Sequence, residues 1–206
     1  MKHDAYHVHA KFYDRLYEPA AKRLREAGAR LYPPRKNLAV LDVGCGTGTQ
    51  LLLYRTEGCR LCGIDSSPAM LERAKAKLGG SAELLIMDAS HMSFADGTFD
   101  LVTVVLTLHE MPAPLRTDVV HECLRVTKPG GHVMLIDYHS GPYPFLRGWL
   151  WKIMVTLSEI SAGGRHFANY RDFLKRNGLQ SICEEQGVSV KRKYVVDSGV
   201  AAIYLL

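Results

Sequence analysis

Three acids stand at the ends of three short apolar runs: Asp42 within 39–43, Asp65 just past 61–64, and Asp88 just past 83–87. The first run opens into a glycine loop, Leu41-Asp42-Val43-Gly44-Cys45-Gly46-Thr47-Gly48-Thr49. Glycines at a strand-to-helix turn let the backbone approach a bound molecule with no Cβ in the way. A dinucleotide fingerprint needs G-x-G-x-x-G, and its third glycine would fall at position 49, which is Thr49. The third glycine is instead Gly48, giving G-x-G-x-G with a carboxylate two residues ahead of it. A pyrophosphate favours a helix N-terminus and no nearby carboxylate. The loop therefore speaks against a nicotinamide-dependent oxidoreductase and for a ligand bearing positive charge. Farther on, Thr107-Leu108-His109-Glu110-Met111 follows a fourth apolar run, and Tyr138-His139 follows a fifth. An imidazole with an ordinary pKa near 6.5 can take a proton or orient a reactant at neutral pH, which makes His109 the first candidate for catalysis. Tyr138 and His139 come second. His3, His7 and His9 lack a paired carboxylate and partner ligands, so no metal site is expected.

These residues need a scaffold, and the order of the apolar runs supplies one. Strands are expected at 39–43, 61–64, 83–87, 99–106 and 132–137. Helices are expected at 50–57, from Pro68 to 78 with Ser67 as N-cap, and at 114–126, with a turn at Lys128-Pro129-Gly130-Gly131. Strands alternating with helices of this length build βαβ units with right-handed crossovers. The fold class is thus α/β, a Rossmann-like doubly wound and mostly parallel sheet. A segment at 189–196, a turn at Asp197-Ser198-Gly199 and a segment at 200–206 read as a C-terminal antiparallel hairpin. The 206 residues form a single domain, 1–206. Within it, 1–36 forms an N-terminal helical cap, 139–167 an aromatic-rich lid insertion, and 168–185 a helical stretch broken at Asn177-Gly178.

Composition narrows the setting. The five cysteines are scattered and odd in number, which fits reduced thiols in a cytoplasmic protein; Cys59 and Cys62 read as strand residues, without a redox or zinc role. No secretory leader opens the chain, and 143–160, the most apolar stretch, is interrupted by Arg147, Lys152 and Glu159. Residues 1–36 carry nine Lys/Arg against four Asp/Glu, 37–140 eight against twelve, and 141–206 nine against five. An acidic centre between basic ends suits a cationic cofactor at the centre and an anionic substrate or surface at the ends. Solvated helix faces would give the same charges.

The motif at Leu41–Gly48 resembles the first motif of the class I S-adenosylmethionine-dependent methyltransferases. Gly63-Ile64-Asp65-Ser66-Ser67-Pro68 is similar to their second, and Met87-Asp88-Ala89 to their third. Phe99-Asp100-Leu101-Val102 and Leu124–Gly131 are similar to further landmarks, so the resemblance spans about 38–137 in order and spacing. It implies S-adenosylmethionine as cofactor, which carries a sulfonium and an amino acid group but no phosphate. Asp42 would receive the ammonium, directly or through water, while Gly44, Cys45, Gly46 and Gly48 offer close backbone. Asp65, 21 residues after Gly44 and next to Ser66, would hold both ribose hydroxyls. Asp88 would accept from the adenine amino group, and the Ala89 amide would meet the ring, with Leu106 bordering the site. Phe12-Tyr13-Asp14-Arg15-Leu16-Tyr17 resembles the N-terminal Tyr-Asp of the UbiE-like quinone methyltransferases, and implies that Tyr13 helps close the cofactor site.

The whole chain looks like UbiE-like methyltransferases and the related small phospholipid N-methyltransferases, though the quinone signature is not matched in the C-terminal third. The expected acceptor is hydrophobic or lipid-like, with a soluble small metabolite as the alternative; a non-catalytic protein that binds S-adenosylmethionine would keep the same loop. Nucleic acid is not expected, since the basic residues follow no binding module. In the insertion, Trp149, Leu150, Ile153, Met154 and Leu157 recur at helical spacing and predict one apolar helix face. Arg147 and Lys152 are expected to send their charges to water or lipid phosphate, and a membrane surface is a further expected partner.

Overall fold

The computed structural model describes residues 18–143 and 146–206. Helix α1 (Glu18–Leu31) leads into β1 (Ala39–Val43), and the glycine loop into the short α2 (Thr49–Leu53). Then follow β2 (Arg60–Asp65), α3 (Pro68–Leu78), β3 (Glu83–Ile86), β4 (Phe99–Val105), α4 (Ala113–Val126) and β5 (Thr127–Tyr138). The lid region holds α5 (Arg147–Ser161) and α6 (Gly164–Lys175), followed by α7 (Leu179–Glu185), β6 (Arg192–Val196) and β7 (Ala201–Leu205). The seven strands form one sheet in the order β3-β2-β1-β4-β5-β7-β6. The first five are parallel, and β7 lies antiparallel to both β5 and β6. The chain winds outward from β1 to β3 and then crosses back to β4. The switch point between β1 and β4 is where open α/β sheets bind ligands, outside the carboxyl ends of the strands.

The central strands are apolar on both faces because both faces are covered. Successive side chains point opposite ways. Leu41, Val43, Ile64, Val102 and Val104 meet Val120, Cys123, Phe173 and Ile182 of α4, α6 and α7. Val40, Leu61, Leu101 and Val105 face Leu24, Leu51, Ala74 and Leu78 of α1, α2 and α3. Ser67 caps α3 by accepting from the Met70 amide, with Pro68 in the first turn, as the sequence predicts.

Several boundaries shift for local reasons. The helix after the loop ends at Leu53, not 57, because Tyr54 turns inward and its hydroxyl donates to the Tyr32 carbonyl at 3.0 Å. The fourth strand ends at Val105 because Leu106 takes a left-handed φ of 53°. Lys128–Gly131 is a bulge within β5, between the pairs Phe99–Thr127 and Leu101–His132, where a turn before the strand was expected. The 139–167 insertion is two helices, with α6 already begun at Gly164. Of the helical cap expected over 1–36, 18–31 is seen as α1, while 1–17, with His3, His7, His9 and Tyr13, lies outside the described residues. Among the described residues, no helix is long and apolar enough to cross a membrane.

Candidate functional site

The glycine loop crosses the carboxyl end of β1 with Gly44, Gly46 and Gly48 all at positive φ, 66°, 52° and 79°. At Gly44 a Cβ would lie 2.5 Å from Cγ2 of Thr107, so only glycine lets the loop lie against the end of β4. Asp65, ending β2, organises the loop: its two oxygens accept from the amides of Gly46 and Ser67, each at 2.8 Å. Asp42 is buried under the loop and accepts from the Thr103 hydroxyl at 2.7 Å. Burial pushes its pKa up to about 6, against the opposing pull of the Thr103 hydrogen bond and the Arg25 charge. Asp88 is exposed beyond β3 and accepts from the amide and hydroxyl of Ser90. Ser66 is exposed and Ala89 half-buried. Cys45 is buried, its thiol pKa pushed up by burial, and its amide donates to Ile64.

Two neighbours of the loop carried no signal in the motif. Lys77 reaches back from α3 to the hydroxyls of Thr47 and Thr49, each at 2.7 Å. Gln50 is fully buried just after the loop, and neither end of its amide has a hydrogen-bond partner among the described residues. Orphaned buried amides are rare and point to a missing polar ligand. A loop whose three glycines all take positive φ, three acids at successive strand ends and this unpaired amide fit a cationic nucleoside such as S-adenosylmethionine.

A second group of residues lies where β4 and β5 end. His109 sits in a single 3₁₀ turn, Leu108–Glu110, and is only 2% exposed. Its Nδ1 is 2.7 Å from Oδ1 of Asp137, the penultimate residue of β5. Oδ2 of the same carboxylate accepts from the amides of Leu108 and His109, which fixes the turn. On the other side, Nε2 lies 3.6 Å from Oε2 of Glu159 on α5, and that oxygen is 2.6 Å from Nε2 of His166 on α6. Tyr138 donates to the other Glu159 oxygen at 3.0 Å, with its ring centred 4.6 Å from that of His109. Burial lowers the His109 pKa, but the Asp137 and Glu159 carboxylates outweigh it and raise it to about 9. Arg116 ties this turn to α6 through the carbonyls of Leu108 and Asn169 and the carboxylate of Asp172.

The structure thus brings Tyr138 to His109 but sends His139 elsewhere. The His139 ring accepts from the Gly141 amide, and its own amide donates to Val200 at the β7 end. Sequence reasoning missed Asp137, Glu159 and His166. Asp137 was read only as a strand end, and Glu159 and His166 lie on different helices that meet only in the fold. In the lid, the expected outward course of Lys152 is not what the structure shows. Lys152 points inward, bonding the Tyr170 hydroxyl with its ammonium 4.6 Å from that ring's centre. Partial burial there lowers its pKa to about 8, and its ammonium rests on Tyr170 instead of extending toward lipid phosphate.

Comparison with known proteins agrees with this geometry. A methyltransferase-domain family model matches residues 40–131. The demethylmenaquinone methyltransferase of Desulfitobacterium hafniense is 30% identical over 88% of this chain and 78% of that protein. The one of Clavibacter sepedonicus is 32% identical over 60% of this chain, and the match spans only 50% of that protein's length. The phosphatidylethanolamine N-methyltransferase of Cereibacter sphaeroides is 40% identical over 49% of this chain and 51% of that protein. A solved methyltransferase of Aquifex aeolicus superposes with a TM-score of 0.65 at 20% identity, covering 95% of this chain and 96% of the other. With the strand order, the glycine loop and the acids in place, the chain belongs to the class I S-adenosylmethionine-dependent methyltransferases, in their UbiE-like branch.

Proposed function

We propose that this methyltransferase acts on a hydrophobic, lipid-like acceptor that enters beneath α5 and meets the methyl group beside His109. One observation carries the reading. Helix α5 is built inside out: Gly148 and Glu159 are buried and Lys152 and Thr156 bond inward to Tyr170, while its apolar face looks outward. Trp149, Leu150, Ile153, Met154, Leu157 and Ile160 range from 49% to 61% exposed. Leaving such side chains in water forgoes about 1.5–3 kcal/mol each, and apolar patches of this kind on a soluble protein mark an interaction surface. Trp149 beside Tyr143 adds the aromatic character of a membrane interface. The quinone and phospholipid methyltransferases among the relatives support a lipid acceptor.

S-adenosylmethionine supplies an activated methyl group, so the protein's task is alignment and exclusion of water. In the proposed arrangement Asp65 and Ser66 hold the ribose, Asp88 and Ala89 the adenine, and Tyr13 closes the site. Gly44, Cys45, Gly46 and Gly48 line the cofactor, Leu106 borders it, and Asp42 faces the ammonium. Helices α5 and α6 cover the reaction and move aside for the acceptor.

Vesicle co-sedimentation tests the acceptor reading. Wild type is expected to bind lipid vesicles, and a Leu150→Ser, Met154→Ser, Leu157→Ser variant to partition less by on the order of 10²-fold or more, from the lost transfer energy of three apolar side chains. With Lys152 turned inward, salt should weaken binding little. If wild type ignores vesicles of every composition, the acceptor is instead a soluble metabolite enclosed by the lid. Mass spectrometry of lipid and metabolite extracts given labelled S-adenosylmethionine then names it.

Asp42 gives a pH dependence. Its side chain is charged above about 6, so affinity for the cationic cofactor should fall as pH drops below that, by roughly tenfold per pH unit. The folding linkage has the opposite sense. A raised carboxyl pKa stabilises the fold below the unfolded value near 3.8, and that contribution is lost as pH rises through about 6. Calorimetric titrations at pH 5 and pH 7.5 should show the fall in cofactor affinity, and Asp42→Asn should flatten it. A flat wild-type profile would remove Asp42 from the cofactor's charge partners.

A further inference from the structure

We propose that His109, Glu159 and His166 form a binding site for one divalent transition-metal ion of zinc type, at the acceptor end of the pocket. One donor atom from each of His109, Glu159 and His166 lies within 4.8 Å of the other two. They come from three separate elements, the 3₁₀ turn after β4, α5 and α6, so no single helix repeat explains their meeting. Two imidazoles and one carboxylate are a donor set that suits zinc, and catalytic zinc sites keep the fourth position for water or substrate.

The surroundings orient each donor. Asp137 sits at 2.7 Å from Nδ1 of His109, and its other oxygen is anchored on two backbone amides. Metal-bound histidines characteristically give their second ring N–H to a carboxylate in this way, which fixes the tautomer and turns the other lone pair toward the ion. Tyr138 donates to Oε1 of Glu159, leaving Oε2 for the ion. Two ligand atoms on one tetrahedral ion with bonds near 2.1 Å stand roughly 3.4 Å apart. His109 and Glu159 are already 3.6 Å apart, the 2.6 Å contact between His166 and Glu159 must open, and all three donors already fall within 4.8 Å. His166 is the half-buried member and lies two residues beyond Gly164, the first residue of α6. Formal charge also closes. The Asp137 and Glu159 carboxylates balance a divalent ion between neutral imidazoles.

Position gives the ion a use. His109 follows two residues after Thr107, whose side chain rests against Gly44 of the cofactor loop. An ion there could take an acceptor oxygen into its open position and lower that oxygen's pKa before methyl transfer. This use rests on the methyl-transfer reading above, but binding of the ion does not, and it is measured separately.

Chelator-treated protein is titrated with Zn²⁺ by calorimetry and with Co²⁺ by visible absorption. The site predicts one ion per chain, with intense tetrahedral Co²⁺ bands that Zn²⁺ abolishes. His166→Ala and Glu159→Gln should each weaken uptake by about tenfold or more, and Asp137→Asn should weaken it less. A chain with His3, His7 and His9 all changed to Ala should take up the ion as wild type does. Where an alanine variant misfolds, His166→Gln, checked by circular dichroism, replaces it. No stoichiometric uptake by wild type, unchanged uptake in His166→Ala, or loss of uptake in the N-terminal variant would each overturn the site, whatever the protein's methyltransferase activity.

Discussion

Replacing Asp65 by alanine is expected to weaken S-adenosylmethionine binding by about 2–4 kcal/mol, a fall of roughly 30- to 1000-fold. Two charge-assisted hydrogen bonds to ribose hydroxyls in a half-buried site account for that range. The structure adds a second reason. The same carboxylate holds the amides of Gly46 and Ser67, so its removal also frees the loop from the first turn of α3. The two effects separate experimentally. Loop release lowers the thermal midpoint of the cofactor-free protein, whereas lost ribose contacts lower affinity alone. Asp65→Asn can still accept one amide and should recover part of the midpoint but little of the affinity. Calorimetry showing wild-type affinity in a folded Asp65→Ala variant would take the ribose role away from Asp65.

The parallel half of the fold and the placement of the three acids at its strand ends were legible because their signals are local. Val43-Gly44, Ile64-Asp65 and Met87-Asp88 each join the end of an apolar run to a residue that can serve a ligand, so reading along the chain also reads across the strand ends. The order β3-β2-β1-β4-β5 then brings those ends together without any long-range inference. Of the other half of the site only His109 and Tyr138 were legible, for a physical reason. Asp137, Glu159 and His166 belong to a strand and two helices separated by up to 29 residues, and their chemistry exists only once α5 and α6 fold back over β5. The lid shows the same limit in another form. Helical spacing correctly grouped Trp149, Leu150, Ile153, Met154 and Leu157 on one face, but spacing does not say which way a face points. Ordinary burial would turn it inward; here Lys152, Thr156 and Glu159 take the inward side because Tyr138, Tyr170 and His166 satisfy them there. The expected apolar stripe is present, but it faces outward.

His109→Ala is expected to lower turnover by on the order of 10²–10⁴-fold while leaving cofactor affinity within a factor of about three. The split follows from its surroundings. Its close partners are Asp137, Tyr138, Glu159 and His166, with Tyr170 and Phe173 around the ring, all on the acceptor side. None of the three cofactor acids is among them. Removing the imidazole leaves Asp137 its backbone amides, so the turn at Leu108 should persist, but Glu159 loses the group that aligns it from below. The variant should therefore bind S-adenosylmethionine normally by calorimetry and fail in single-turnover methyl transfer. Glu159→Gln serves as the companion. It keeps a hydrogen-bond acceptor for Tyr138 while removing the charge, and a similar loss would place the effect in the charged cluster. A smaller loss would leave His109 as the group that matters. If His109→Ala turns over at the wild-type rate while folded, its contacts serve only to hold β4, β5 and the lid helices together. The methyl acceptor is then oriented by other groups in the pocket, and Tyr138 becomes the first to test.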